Sequence, residues 1–156
     1  GQDMVTRVAA LAICLLASSV AADDQPDGEV GLFPYRDKAA VTRGAALYAE
    51  NCAACHGAGL EGEADWRARN ADGSFRAPPH DETGHTWHHP DAQIFAITKF
   101  GTEAVTGGAV TSAMQGFEGA LNDDDILAVL GFIKAQWPNE IIERHNALNR
   151  RYEASQ

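Results

Sequence analysis

The sequence predicts an all-α domain, and three features carry that expectation. Several segments repeat apolar residues at helical spacing and are bounded by caps, prolines or glycines. Nowhere does the chain alternate strand with helix. The stretches between the periodic segments are rich in glycine, aspartate, proline and histidine and show no period, which marks them as loops. A chain of 156 residues, 45% of them apolar, suffices for one domain with tails.

Residues 1–22 read as an export signal. Arg7 supplies a positive start, Val8 to Leu16 is a short apolar run, and the small residues that follow offer cleavage after Ala21 or Ala22. The run falls short of the roughly 20 residues of a membrane span, so cleavage is expected rather than an anchor, with no stable membrane insertion afterwards. Bulky Ile13 before Cys14 argues against a lipid-modified cysteine. Residues 23–36 form an N-terminal extension, 37–137 the main domain and 138–156 a C-terminal helical extension.

Within the domain, DKAAVTRGAALYAENC (37–52) is a helix, with Val41, Gly44, Ala45, Leu47 and Tyr48 on its packing side. Residues 57–89 form a long loop. PDAQIFAITKFG is a short helix opened by Pro90, lined by Ile94, Ile97 and Phe100, and stopped at Gly101. GGAVTSAMQGFEG (107–119) is turn-prone. NDDDILAVLGFIKAQWP is a helix capped by Asn122 or Asp123. Acids fill its first turn, Lys134 sits near its end, and Ile126, Val129, Leu130, Ile133 and Trp137 form its apolar face. The last segment forms an extra helix, with Ile141, Leu148 and Tyr152 on one side and charge on the other.

The chemistry concentrates in NCAACHGAGLEG, where Cys52 and Cys55 precede His56. A disulfide across two intervening residues would cross-link almost nothing. A structural zinc site needs four ligands, usually from a second closely spaced pair, which the later histidines do not supply. A thioredoxin-like pair belongs in a βαβ setting. Covalent haem attachment accounts for all three residues: both thiols form thioethers, and His56 reaches the iron.

A six-coordinate iron then needs a second ligand. With Met4 removed in the signal, Met114 is the one remaining methionine, and its glycine-rich loop suits a flat cofactor. The rival ligands are His80, His85, His88 and His89. Methionine with histidine gives a higher reduction potential than two histidines.

The order of helix, CxxCH, long loop, short helix, methionine loop and final helix resembles a class I cytochrome c over Asp37 to Trp137. The resemblance implies three to five helices wrapped around one covalent haem c. It implies that Gly44 and Tyr48 pack against Val129 and Phe132, and that the carbonyl of Pro78 or Pro79 accepts from His56 Nδ1. Two departures stand out. The proline comes late after His56, implying an insertion around EADWRARNADGSF. Gln115 replaces the proline common after the methionine, implying a less rigid methionine loop. APPHDETGHTWHHPD (77–91) is similar to a stretch of small bacterial periplasmic mono-haem cytochromes c. There the histidines are expected to meet haem propionates and loop carbonyls, Trp87 to pack on the haem rim, and Trp66 and Arg67 to reach a propionate.

With His56 and Met114 as axial ligands the iron has no open position. The expectation is therefore a periplasmic single-electron carrier and not an enzyme. A net charge of −10 excludes a nucleic-acid binder and favours redox partner proteins with a basic docking face. One alternative is a haem protein with a labile or open distal site, serving gas binding, peroxidase-like chemistry or sensing. The other is a carrier whose histidine loop also binds copper.

Overall fold

The computed structural model describes residues 30–156, so the expected signal and residues 23–29 lie outside the described residues. Six α-helices follow in order: α1 (Lys38–Asn51), α2 (Ala53–His56), α3 (Asp91–Phe100), α4 (Thr102–Val105), α5 (Asp123–Ala135) and α6 (Asn139–Ala154). A single 3-10 turn at Thr86–His88 interrupts the long loop. Among the described residues there are isolated bridges but no strand. None of the described helices is long and apolar enough to cross a membrane.

α1 starts where Asp37 caps it, its carboxylate accepting from Ala39 N at 3.0 Å and Ala40 N at 3.2 Å. It buries Gly44 and Tyr48 against α5. A Cβ on Gly44 would lie 1.9 Å from the Ala128 carbonyl oxygen and 2.9 Å from Phe132 Cβ, so the two helices cross backbone to backbone. Phe132 meets Tyr48 as expected, ring centroids 5.5 Å apart. The residue beneath Gly44 is Ala128 rather than Val129, which turns instead into the core.

α5 is held at its start by a reciprocal capping box between Asn122 and Asp125, with three acids in the first turn facing the positive end of the helix dipole. Ile126, Val129, Leu130, Ile133 and Trp137 are all buried, as their spacing predicts. In α3, Ile94 is buried and Ile97 partly so, but Phe100 is exposed. It is the last residue before the turn at Gly101, and the buried position goes to Thr98, whose hydroxyl donates to Ile94 O at 2.9 Å. The short helices α2 and α4 were not expected from periodicity, because four residues carry too little of a repeat to read.

Both flanks of the domain depart from expectation. The N-terminal extension is part of the core: Phe33 and Tyr35 are buried, and the chain passes α5 where a Cβ on Gly131 would meet Pro34 at 3.0 Å. α6 does not dock through an apolar stripe. Its buried residues are His145, Asn146 and Asn149, whereas Ile141 and Leu148 are half-buried and Tyr152 is exposed. These polar side chains close a seam. Asp91 Oδ2 accepts from Leu32 N at 2.6 Å and Phe33 N at 3.3 Å, while Asp91 N donates to Asn149 Oδ1 at 2.9 Å. His145 Nε2 donates to His89 O at 2.9 Å and lies 3.3 Å from Asp91 Oδ1. Lys134, near the end of α5, is fully buried; its Nζ donates to Asn146 Oδ1 at 2.5 Å and lies 4.5 Å from the Tyr35 ring centroid. A buried ammonium is tolerated because it has such partners.

Two predictions follow from this packing. Gly44→Ala places a methyl inside the Ala128 carbonyl, so it should cost about 1–3 kcal/mol or more, read as a lower denaturant midpoint with unchanged slope. Burial, then the nearby Lys134 charge, push the His145 pKa down to about 4 against the pull of Asp91. Its folded pKa is therefore below the unfolded value of about 6.5, and the unfolded chain takes up the proton first. The His145 contribution should be complete above pH 6.5 and fall as pH drops toward 4, by up to about 1.4 kcal/mol per pH unit. His145→Gln keeps a donor for His89 O and should lack this part of the acid slope in pH-dependent unfolding.

Candidate haem site

The site begins where α1 ends. Cys52 N donates to Tyr48 O at 2.9 Å, and the Cys52 carbonyl then accepts from Cys55 N at 3.2 Å and His56 N at 2.9 Å. This single turn brings residues 52, 55 and 56, spaced i, i+3 and i+4, to one side. Cys52 is half-buried and Cys55 exposed, and no disulfide joins them. Burial first, and Cys55 second, push the Cys52 thiol up to about 11. A redox-active CxxC needs the reverse, a lowered thiol pKa, so the thioredoxin-like reading finds no support in the electrostatics.

His56 is buried, and its Nδ1 lies 2.8 Å from the carbonyl oxygen of Pro78. A carbonyl only accepts, so the proton is on Nδ1 and the Nε2 lone pair is left for a metal. Burial lowers the His56 pKa and outweighs the Pro78 bond, which keeps the ring neutral. Pro78 is thus the acceptor; Pro79 is fully buried next to it and its carbonyl accepts from Thr86 Oγ1 at 3.5 Å.

Residues not singled out from the sequence make this closure possible. Gly62 has φ +72°, its N–H donates to His56 O at 2.6 Å, and a Cβ there would lie 2.5 Å from Pro79 N and 2.7 Å from Pro78 C. Only glycine lets the proline segment approach this closely. Tyr48, expected only as a packing residue, also donates its hydroxyl to Gly57 O at 2.7 Å, and burial raises its pKa so that the proton stays. Leu60 O accepts from His80 N at 2.8 Å. The sequence signal for these is weak, since each depends on a partner far along the chain.

The four loop histidines separate. The His80 ring lies against the His56 ring, centroids 4.0 Å apart and planes at 32°. Burial and the neighbouring His56 hold its pKa well below the ordinary value. His85 packs on Trp66 at 5.4 Å, and His88 on Trp87 at 3.9 Å. His89 gives its carbonyl to His145. Among the described residues no group of three or more His, Cys, Asp or Glu is gathered as metal ligands would be.

Trp66 and Arg67, expected at a propionate, pair with each other, the guanidinium 4.2 Å from the indole centroid. Trp87 donates its indole N–H to Glu82 O at 3.2 Å and packs half-buried on the core. Met114 comes from another part of the fold. It is half-buried, its N–H donates to Ser112 Oγ at 3.0 Å, and its carbonyl accepts from Thr102 N at 3.3 Å. The insertion after His56 reaches this loop: Phe75 N donates to Thr111 O at 3.4 Å and Phe75 bridges to Ser112. The loop is therefore tethered on both sides despite Gln115. Two open surface clefts, one at the start of α5 and one between Tyr35 and α6, involve none of these residues.

Two neighbouring cysteines and an imidazole with its tautomer set fit a covalent haem. Replacing Cys52 and Cys55 together by alanine should give a chain with no haem mass increment, and any pigment should be extractable by acidified organic solvent.

The cytochrome c family model matches residues 41–137. The match starts inside α1 and stops at Trp137, leaving α6 and the N-terminal segment outside it. No match was found among curated proteins or among solved structures. Matched over more than half its length, and carrying a haem-attachment motif on an all-α frame, the chain belongs to the cytochrome c family.

Proposed function

We propose that this chain is a periplasmic single-electron carrier of the class I type, with His56 and Met114 as the axial ligands of one haem c. The family's covalently bound haem c supplies one-electron chemistry. The observation that carries the reading is the His56 Nδ1 bond to Pro78 O, which presents Nε2 as a neutral donor and holds it in place. Met114 supports the second position, being the only methionine among residues 5–156 and standing on a loop tied to Thr102 and Ser112. With both positions taken no substrate can bind the iron, so the chain's work is to hold the ligands still and exclude water.

Localisation in the periplasm rests on the signal-like residues 1–22. A net charge of −10 favours donors and acceptors that dock through a basic face, with association that weakens as salt rises.

An optical redox titration of the mature holoprotein tests the ligand set. The oxidised protein should show the weak near-infrared sulfur-to-iron band. Met114→Ala should abolish it and lower the reduction potential, because a thioether favours the ferrous state more than its substitutes do. A wild-type protein without the band, or a variant that keeps it, excludes Met114. Carbon monoxide should bind the reduced wild type slowly or not at all at neutral pH and bind Met114→Ala quickly.

A further inference from the structure

We propose that His80 is a positioning residue for the proximal ligand: its ring sets the plane of the His56 imidazole and stabilises the oxidised state of the carrier. The inference rests on the reading of His56 as an iron ligand. The Pro78 bond fixes the tautomer of His56 through an in-plane contact at one atom. The His80 ring adds a contact against the face, at 4.0 Å between centroids and 32° between planes. A face contact resists rotation of the imidazole about its own bond to the chain, which an edge contact at one nitrogen resists less.

His80 can act this way because it is itself tethered at three points. Its N–H donates to Leu60 O at 2.8 Å, its carbonyl accepts from Trp137 Nε1 at 2.7 Å, and its Nδ1 is hydrogen-bonded to buried Thr86 Oγ1 at 2.7 Å. The first ties it to the CxxCH loop, the second to the core residue that ends the α5 segment. The third alone holds the ring, so Thr86 limits its rotation while the other two bonds fix the backbone that carries it.

The electrostatic consequence has a sign. The face of an aromatic ring is electron-rich. An imidazole bound to ferric iron is electron-poorer than one bound to ferrous iron. A π face held against it therefore favours the ferric state, as a ring face favours a cation. An alkyl group in the same place offers no such face.

The test uses the mature holoprotein with His80→Leu, His80→Phe and Thr86→Val, each checked for covalent haem and helix content. The readouts are low-temperature electron paramagnetic resonance of the ferric form and potentiometric titration. His80→Leu should alter the g values and move the oxidised-to-reduced ratio at fixed poise about threefold toward reduced, about 28 mV at 59 mV per decade for one electron. His80→Phe keeps a π face and should stay within about twofold of wild type on the same scale. Thr86→Val frees the ring without removing it and should shift both readouts in the direction of His80→Leu by less; this variant decides the matter should His80→Leu fail to mature. Wild-type g values and potential in both His80→Leu and Thr86→Val would overturn the proposal. A wild-type ferric protein with no low-spin signal would instead remove the ligation reading, and the proposal with it.

Discussion

The crossing of α1 and α5 at Gly44 is the constraint on which the remaining architecture depends. Ala128 O occupies the space where a Cβ on residue 44 would be, so the two helix backbones touch. That contact fixes the direction in which α1 arrives at Cys52, and the next turn carries both thiols and His56. Tyr48 links the two tasks: its ring packs on Phe132 of α5 and its hydroxyl holds Gly57, the residue after His56. A shift at the crossing would therefore move the motif itself.

From that turn the chain closes on itself through backbone bonds. Gly62 N returns to His56 O, Glu63 N pairs with Ala77 O, and His80 N pairs with Leu60 O. The effect is to bring a proline carbonyl 22 residues away against His56 Nδ1. Much of the excess length between His56 and Pro78 is used in a side loop that extends to the methionine loop at Thr111 and Ser112. The insertion thus braces the methionine loop, where a rigid proline is missing after Met114.

The polar seam under α6 is a second kind of glue. Asp91, His145, Asn146, Asn149 and Lys134 are buried together, and they bind the segment before α1, the start of α3 and α6 into one unit. Buried polar groups stabilise only when their partners are in place; within the seam Asp91 Oδ1, His145 Nδ1 and Asn149 Nδ2 make no hydrogen bond. It lies largely outside the stretch shared with the family, and it reaches the histidine loop through His89 O, next to the loop that carries His80.

Local patterns in the chain sufficed for the all-α class, for α1, α3 and α5, for the Asn122 cap of α5, and for CxxCH as a haem-attachment motif. These are contiguous signals in which spacing alone selects the geometry. Long-range partners had to come from the folded chain: Pro78 rather than Pro79 at the ligand, Ala128 rather than Val129 under Gly44, Phe33 and Tyr35 in the core, and the inward placement of Lys134 and His145. Nothing in the local sequence around Lys134 or His145 marks either as an interior residue. They became interior residues because distant carbonyls and carboxylates converge on them, and periodicity along one helix contains no record of what another segment brings to its face.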